Sequence, residues 1–218
     1  FENNVRANLK VTDFEDETVY VKARIGAGLL TEKIPGLSFL LGSTFTKGGL
    51  EAHSHDDLQA LFAGKSVSVN FSVDDDAFVL SGQTTPASLA DQLTLMRAYL
   101  THPGFREEAV TEFKRALDYL YQQLERTPGG FAQDEVAQFL HGGDERFGYP
   151  PRAAVEALTT AQVKDWVLPE LAGGYLEITL VGSFDDKDAI AQLAATFGNL
   201  GERDAKKPAL EKERAVSF

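Results

Sequence analysis

The longest apolar segment of the chain lies between a proline and a pair of glycines. Residues 34–49 read IPGLSFLLGSTFTKGG. Proline suits the first turn of a helix because its missing N–H would be unpaired there, and glycine accepts the left-handed conformation that closes many helices. Between them, leucine and phenylalanine cover most of the circumference, and a helix that is apolar nearly all round is buried. The segment therefore predicts a buried helix against which the rest of the domain packs.

The composition excludes several classes of protein. The 218 residues carry a formal net charge of −12, which argues against nucleic-acid binding and against adsorption to anionic lipid. The absence of cysteine excludes disulfides, thiol nucleophiles and thiolate metal sites. No run of about 18 apolar residues occurs, so no membrane insertion is expected. Because the first residue is Phe1 rather than methionine, we expect the chain to be a piece of a longer protein.

Alternating apolar and polar residues predict strands in three regions of the chain. Residues 5–9 and 18–25 alternate on either side of a mostly acidic connection, which predicts a β-hairpin. Residues 67–73 and 77–80 flank the cluster Asp74-Asp75-Asp76, which predicts a second hairpin. Residues 175–181 carry apolar groups on both faces, as is typical of a strand that lies in the middle of its sheet.

Helical periodicity and capping signals account for most of the remaining chain. Ser54 with Asp57, and Thr159 with Gln162, have the spacing of capping boxes that begin helices. Apolar residues at helical spacing predict further helices over residues 86–100, 110–124, 132–141 and 185–197. Strands in antiparallel pairs with grouped helices predict an α+β fold. We expect a two-layer sandwich: a mostly antiparallel sheet with helices packed on one face.

The end of the chain differs in composition from the rest. Charged residues dominate beyond Leu200, beginning with Gly201-Glu202-Arg203-Asp204. A run of this kind is usually a solvated linker. The chain is therefore predicted to contain a single domain over residues 1–200 and a charged linker toward a following domain over residues 201–218.

The residues alone do not assemble an active site. His53 and His55 lie beside Asp56 and Asp57, which resembles a cluster of metal ligands and leaves open an enzyme with an unusual histidine-based metal site. The same stretch is explained more simply as the start of a helix, with Ser54 as its cap. The sequence contains neither the strand–helix elbow of a serine nucleophile nor a glycine-rich phosphate loop.

Five segments, in their order and spacing, resemble one family of enzymes. They are FENNVRANLK at residues 1–10, PGLS at 35–38, MRAYLTHPGF at 96–105, LVGSF at 180–184 and TFGNL at 196–200. Together they resemble the pitrilysin/insulinase family of zinc metallopeptidases, whose active domains carry the inverted motif H-x-x-E-H. The resemblance extends over nearly the whole chain and implies the α+β fold of metalloprocessing-peptidase-like domains.

The resemblance places a degenerate zinc motif on the apolar helix. Phe39 stands where the first histidine belongs, Gly42 where the glutamate base belongs, and Ser43 where the second histidine belongs. None of the three can take that role, because a phenyl ring has no lone pair for zinc and glycine has no side chain. The family's third ligand is a glutamate on a later helix, and Asp118 is the only acid near that position. No catalytic residue, metal site or cofactor is therefore expected in this domain.

The resemblance also implies a role within a larger peptidase. It suggests a non-catalytic domain that forms part of an enclosed substrate chamber and pairs with a catalytic half that holds zinc. Its partners would be the other domains of the same chain and a peptide or unfolded polypeptide substrate. A bacterial periplasm or cell envelope is the favoured compartment, with the cytoplasm as the alternative.

Two further points stay open at the level of the sequence. A stand-alone inactive assembly subunit of the same family is the alternative to a domain of a peptidase. Arg146 and Tyr149 resemble an arginine–tyrosine pair that contacts substrate in some members. That pair belongs to the following domain of those members, so no substrate-binding role is assigned to it here.

Overall fold

A mixed five-stranded β-sheet runs through the protein in the order β1-β5-β2-β4-β3. The computed structural model describes residues 1–216. The strands are β1 (Arg6–Val11), β2 (Val19–Ile25), β3 (Asn70–Asp74), β4 (Ala77–Thr84) and β5 (Leu176–Gly182). Strands β1 and β5 are parallel, and all other neighbouring strands are antiparallel. The sheet is therefore mostly antiparallel, as the sequence predicts.

Helices account for most of the rest of the described chain. The helices are α1 (Leu37–Thr44), α2 (His55–Leu61), α3 (Leu89–Thr101), α4 (Glu107–Arg126), α5 (Pro128–Phe131), α6 (Ala137–Leu140), α7 (Arg152–Ala157), α8 (Thr160–Gly173) and α9 (Asp186–Thr196). A π-helical turn over Ala132–Val136 joins α5 to α6. Within residues 1–216, no helix combines the length and the apolar character needed to cross a membrane.

The two faces of the sheet differ in exposure, and strand β2 shows why. Val21 and Ile25 are buried, whereas Tyr20 and Lys22 on the opposite face are exposed. Side chains alternate between the two faces of a strand, so this pattern marks one covered face and one open face. Helices α1, α3 and α9 contact strands of the sheet. The predicted α+β fold is confirmed.

The predicted hairpin between β1 and β2 is wrong, because strand β5 lies between them. Ala7 is paired with Ile178, and Ile178 is also paired with Ala23 on the other side. Strand β5 therefore has a neighbouring strand on each edge, and its core-facing side chains Leu176, Ile178 and Leu180 are completely buried. The prediction that β5 lies in the middle of the sheet is thereby confirmed. The local turn signal did not decide the pairing of the first two strands.

The second hairpin forms as predicted. Strands β3 and β4 pair antiparallel, with Asp74 opposite Ala77 at the turn. Arg24 on the neighbouring strand β2 pairs with Asp74 at 2.9 Å and with Asp76 at 2.5 Å. The acidic turn is therefore tied to the sheet by a cation from β2.

The apolar helix α1 is shorter than the sequence suggests and is not buried all round. It begins after Gly36, whose φ of 96° precludes a helical conformation, so Pro35 precedes the helix instead of lying in its first turn. The helix ends at Thr44, and Gly49 with a φ of 64° closes the turn that follows. The face that carries Phe39 is only half-buried.

Capping signals in the sequence predicted the starts of helices correctly. The glycine-rich stretch that was expected to separate two helices did not mark the start of the second one. Ser54 and Thr159 are the caps of complete capping boxes at α2 and α8, as predicted. The helix expected from residue 132 begins at Pro128 instead, because Thr127 caps it by accepting a hydrogen bond from the Gly130 N–H. Helix α7, over Arg152–Ala157, was not predicted.

The charged segment after Leu200 is mostly exposed, but two of its residues are anchored in the domain. Arg203 is only 4% exposed and Leu210 only 7%. Burial of Arg203 is possible because its guanidinium finds backbone acceptors at the end of α8. The last two residues of the predicted linker, 217 and 218, lie outside the described residues. A following domain stays a prediction.

Candidate functional site

The half-open face of α1 is the starting point for a candidate site. Leu37, Leu40 and Leu41 point into the core and are almost fully buried. The other side of the helix carries Phe39, Gly42 and Ser43, all of them half-buried. Residues spaced by three or four positions share a helix face, so the three predicted motif positions lie together on this surface.

Phe39 packs into a small aromatic cluster. Its ring meets that of Phe113 on α4 at a centroid distance of 5.0 Å, with an interplanar angle of 81°. The ring of Tyr149 approaches Phe39 at 5.0 Å and 85° from the loop before α7. Edge-to-face pairs of this kind are favourable because the positive edge of one ring meets the negative face of the other. The surface beside α1 is therefore aromatic and apolar.

On helix α4, the positions near the expected third ligand are already engaged in other contacts. Leu117 is completely buried, and Asp118 forms an ion pair with Arg152 on α7. Tyr121 donates a hydrogen bond of 2.5 Å to the Pro150 carbonyl. Burial, with the Asp134 carboxylate as the next cause, raises the pKa of Tyr121 to about 12, so its hydroxyl stays protonated. Burial likewise raises the pKa of Tyr149.

A cleft of about 640 Å³ opens beside the aromatic cluster, between α4, the 128–140 helical segment and the start of α7. The Asp134 carboxylate accepts a 2.8 Å hydrogen bond from the Tyr149 N–H, which fixes the backbone at the cleft wall. Its lining combines aromatic, proline and carboxylate groups: Asp118, Tyr121, Leu124, Glu125, Phe131, Asp134, Glu135, Tyr149, Pro150, Pro151 and Arg152, with Gln122 and Gln138. The cleft is large enough for several residues of an extended peptide.

A buried glutamate holds the first turn of α1. The carboxylate of Glu32, which is 7% exposed, accepts hydrogen bonds from the Ser38 N–H at 2.8 Å and from the Ser38 hydroxyl at 3.1 Å. Burial raises the pKa of Glu32, and the hydrogen bonds from Ser38 only partly offset this. A carboxylate is well placed at this end of a helix because it meets unpaired N–H groups and the positive end of the dipole.

We expect the pKa of Glu32 to make stability depend on pH. A folded-state pKa above the ordinary 4.5 means that the folded protein binds the Glu32 proton more tightly than the unfolded chain does. The stability of the folded protein that comes from this proton is therefore lost as pH rises through the folded-state pKa. Glu32→Gln, which cannot ionise, should therefore gain stability relative to the wild type between about pH 4 and about pH 7. Urea unfolding across that range measures it, and Glu51→Gln controls for the loss of a surface charge. A constant difference between the Glu32 variant and the wild type would refute the expectation.

The histidine cluster does not form a ligand set. The Gln59 amide donates to Nε2 of His55 at 3.0 Å, and Nδ1 of His55 donates to the Thr46 carbonyl at 3.2 Å. Asp57 completes the capping box of α2, and its hydrogen bonds from Ser54 lower the pKa of Asp57. Among residues 1–216, no group of three or more histidine, aspartate or glutamate side chains is placed to hold a metal ion.

Comparison with curated proteins identifies distant relatives. No protein-family model matches the chain. The chain is 20% identical over 191 residues to the chloroplastic stromal processing peptidase of Pisum sativum, a match that covers 85% of this chain and 15% of that protein. The chain thus spans less than a fifth of the length of this relative.

Solved structures share the fold at greater coverage. The periplasmic protease PqqL of Escherichia coli matches 95% of this chain and 24% of its own, with a TM-score of 0.78 at 15% identity. A peptidase M16 inactive domain from Pseudomonas fluorescens matches 94% of this chain and 51% of its own, with a TM-score of 0.72 at 19% identity. The fold is that of a peptidase M16 domain. The pitrilysin-like resemblance of the sequence is confirmed.

The α1 surface does not fit the zinc ion that M16 peptidases in general require. The resemblance assigns the motif positions to Phe39, Gly42 and Ser43. Phe39 offers no lone pair and packs against two aromatic rings, and a Cβ added at Gly42 would meet nothing within 4 Å. Position 42 therefore faces open space, but glycine supplies no carboxylate there to activate a water molecule. The assignment of these positions to the M16 motif stays a prediction.

Two side chains at the site had no role assigned to them from the sequence. Glu32 belongs to no motif, and its burial depends on the left-handed turn at Gly36, which the sequence analysis placed inside the helix. Tyr149 was noted with Arg146 as resembling a substrate-contacting pair but was assigned no role, and Arg146 pairs with Asp144 at 2.5 Å. The dipeptide Pro150-Pro151 after Tyr149 is the signal that could have marked a rigid aromatic position.

Proposed function

We propose that this chain is a non-catalytic domain of a zinc metallopeptidase, forming part of the substrate chamber and pairing with the catalytic half. The observation that carries the proposal is the aromatic packing of Phe39 on the α1 face, where the resemblance expects a zinc ligand. The match to an inactive M16 domain supports it. Zinc would be held by the catalytic domain of the parent chain and by no residue of this one.

The chamber role is supported by the cleft next to Phe39. The matched proteins include a processing peptidase and a protease, and these names describe enzymes that act on polypeptides. The 640 Å³ cleft presents aromatic rings and carboxylates that suit contact with an extended polypeptide, without any group placed to cut it. The periplasmic protease among the neighbours favours a periplasmic or cell-envelope compartment for the parent.

Zinc titration by calorimetry tests the proposal directly. We expect no stoichiometric binding to the wild-type domain, because the α1 face offers no nitrogen or carboxylate ligand. The variant Phe39→His with Ser43→His should bind one equivalent of zinc, since positions four apart place two imidazoles on one accessible helix face. The single variants Phe39→His and Ser43→His serve as controls, because each supplies only one imidazole.

Two outcomes would contradict the proposal. Tight stoichiometric zinc binding by the wild type would mean that the domain has a metal site of its own. Equal zinc binding by the double and single variants would mean that positions 39 and 43 do not form the open face assigned to the motif. A separate test addresses the parent: a reading frame with H-x-x-E-H upstream of this domain supports a peptidase, whereas its absence supports a stand-alone assembly subunit.

A further inference from the structure

The charged segment over residues 202–214, here called the strap, is attached to the domain along its length. It leaves the end of α9, passes the C-terminus of α8 and the β3–β4 turn, and reaches the loop over residues 141–149. These attachments involve several elements of the fold, and two of them, by Lys207 and Arg214, share Asp76 of the β3–β4 turn. The strap therefore connects parts of the domain that are otherwise far apart in the chain.

Arg203 fixes the start of the strap. Its guanidinium donates to the carbonyl oxygens of Leu171 and Ala172 at 2.7 Å each, of Gly174 at 2.9 Å and of Glu170 at 3.0 Å. These carbonyls lie at the C-terminal end of α8, where the helix dipole is negative and the last carbonyls generally lack intrahelical donors, although Glu170 also accepts the Gly174 N–H. A cation with a planar set of donors suits this position, so the first attachment is strong.

Asp76 fixes the middle and the end of the strap. Its carboxylate accepts hydrogen bonds from Nζ of Lys207 at 2.5 Å and from a guanidinium nitrogen of Arg214 at 2.7 Å. It also forms an ion pair with Arg24 from β2. The Asp76 side chain is 16% exposed, whereas those of Lys207 and Arg214 are about half exposed. Two cations of the strap thus meet one shielded carboxylate, and both contacts can open to water.

The far end of the strap holds the loop over residues 141–149. Leu210 packs with Leu30 and with Phe147 of this loop. Arg146 of the loop donates to the Glu213 carbonyl at 2.9 Å and to the Leu30 carbonyl at 2.5 Å. The same loop ends in Tyr149, whose ring packs on Phe39 of the candidate site.

We propose that the strap is an ionic latch, in which Asp76 holds Lys207 and Arg214 and thereby keeps the 141–149 loop, with Tyr149, against α1. Arg203 is the fixed end and Asp76 is the releasable end. When both cations leave Asp76, Leu210 and the Glu213 carbonyl withdraw from the loop, and the wall of the cleft loosens. The device depends on the contacts of this chain and holds whether or not the domain belongs to a peptidase.

Hydrogen–deuterium exchange tests the latch with a matched pair of variants. Lys207→Gln with Arg214→Gln removes both cations that bind Asp76. Lys206→Gln with Lys212→Gln changes the net charge equally within the same segment, at exposed positions. We expect exchange to rise at least about fivefold in residues 205–214 and 141–149 of the first variant only, since exposed ion pairs contribute modestly to local closure.

The α3 peptide serves as an internal reference, because global destabilisation would raise exchange there as well. Unchanged α3 exchange with faster exchange in both the strap and the loop supports the latch. Equal exchange in the two double variants would overturn it. Faster exchange of the strap with an unchanged loop would also overturn it, because the loop would then be held independently of Asp76.

Discussion

Replacing Phe45 by alanine is expected to lower the free energy of unfolding by about 3–5 kcal/mol. Phe45 is 1% exposed and lies directly after α1. Its ring stacks on that of Phe71 at 4.1 Å and contacts the rings of Tyr99 at 5.8 Å and Phe105 at 5.7 Å. The substitution leaves a cavity between α1, the sheet and α3, which the surrounding side chains can fill only in part. Urea unfolding followed by circular dichroism measures the change.

Phe39→Ala is the matched control on the same segment. Phe39 is half-buried and loses two edge-to-face contacts, so we expect a smaller loss of about 1–2 kcal/mol. The difference between the unfolding free energies of Phe45→Ala and Phe39→Ala distinguishes a core position from a position on the half-buried face of α1. If Phe39→Ala cost as much as Phe45→Ala, the α1 face assigned to the motif would be part of the core, not an accessible surface.

Arg203→Ala is expected to destabilise the domain by about 3 kcal/mol, because four backbone carbonyls lose a buried charged donor. Removing the side chain takes the guanidinium donor from the Leu171 and Ala172 carbonyls in a region that is poorly accessible to water, whereas the Glu170 carbonyl keeps the Gly174 N–H. The segment also loses its fixed end. Urea unfolding measures the global effect.

Arg203→Lys provides the control for charge. An ammonium keeps the positive charge at the helix C-terminus but cannot present the planar fork that reaches four acceptors, so we expect roughly half of the loss. Arg214→Ala, at a half-exposed side chain, should cost less than about 1 kcal/mol. A loss below about 0.5 kcal/mol for Arg203→Ala would show that water replaces the guanidinium at these carbonyls.

Local signals in the sequence predicted the elements that depend on neighbouring residues. The α2 cap requires only Ser54 and Asp57, and the β3–β4 hairpin requires only the acidic turn between two alternating runs. Both features are decided within a few residues, where turn and capping chemistry dominate. Local patterns predicted an α+β fold. The resemblance narrowed this to the fold of metalloprocessing-peptidase-like domains.

Features that depend on distant residues could not be predicted in this way. The pairing of β1 was decided by β5, and the burial of Arg203 was decided by carbonyls at the end of another helix. A charged residue in a charged run is normally solvated, and only the position of α8 reverses that expectation. Likewise, the resemblance predicted Phe39 as a motif position but not Phe113 and Tyr149 as its contacts.

The insertion of β5 between β1 and β2 has a consequence for synthesis of the chain. Arg6 pairs with Glu177, so the first strand must wait for residues near the end of the domain before it has a partner. Until then β2 lacks the strand that flanks it in the folded sheet, and its free edge can pair with other chains. Pairings between such distant residues form slowly. A ribosome therefore displays most of this domain before the sheet can close, and the edge of β2 stays unpaired during that time.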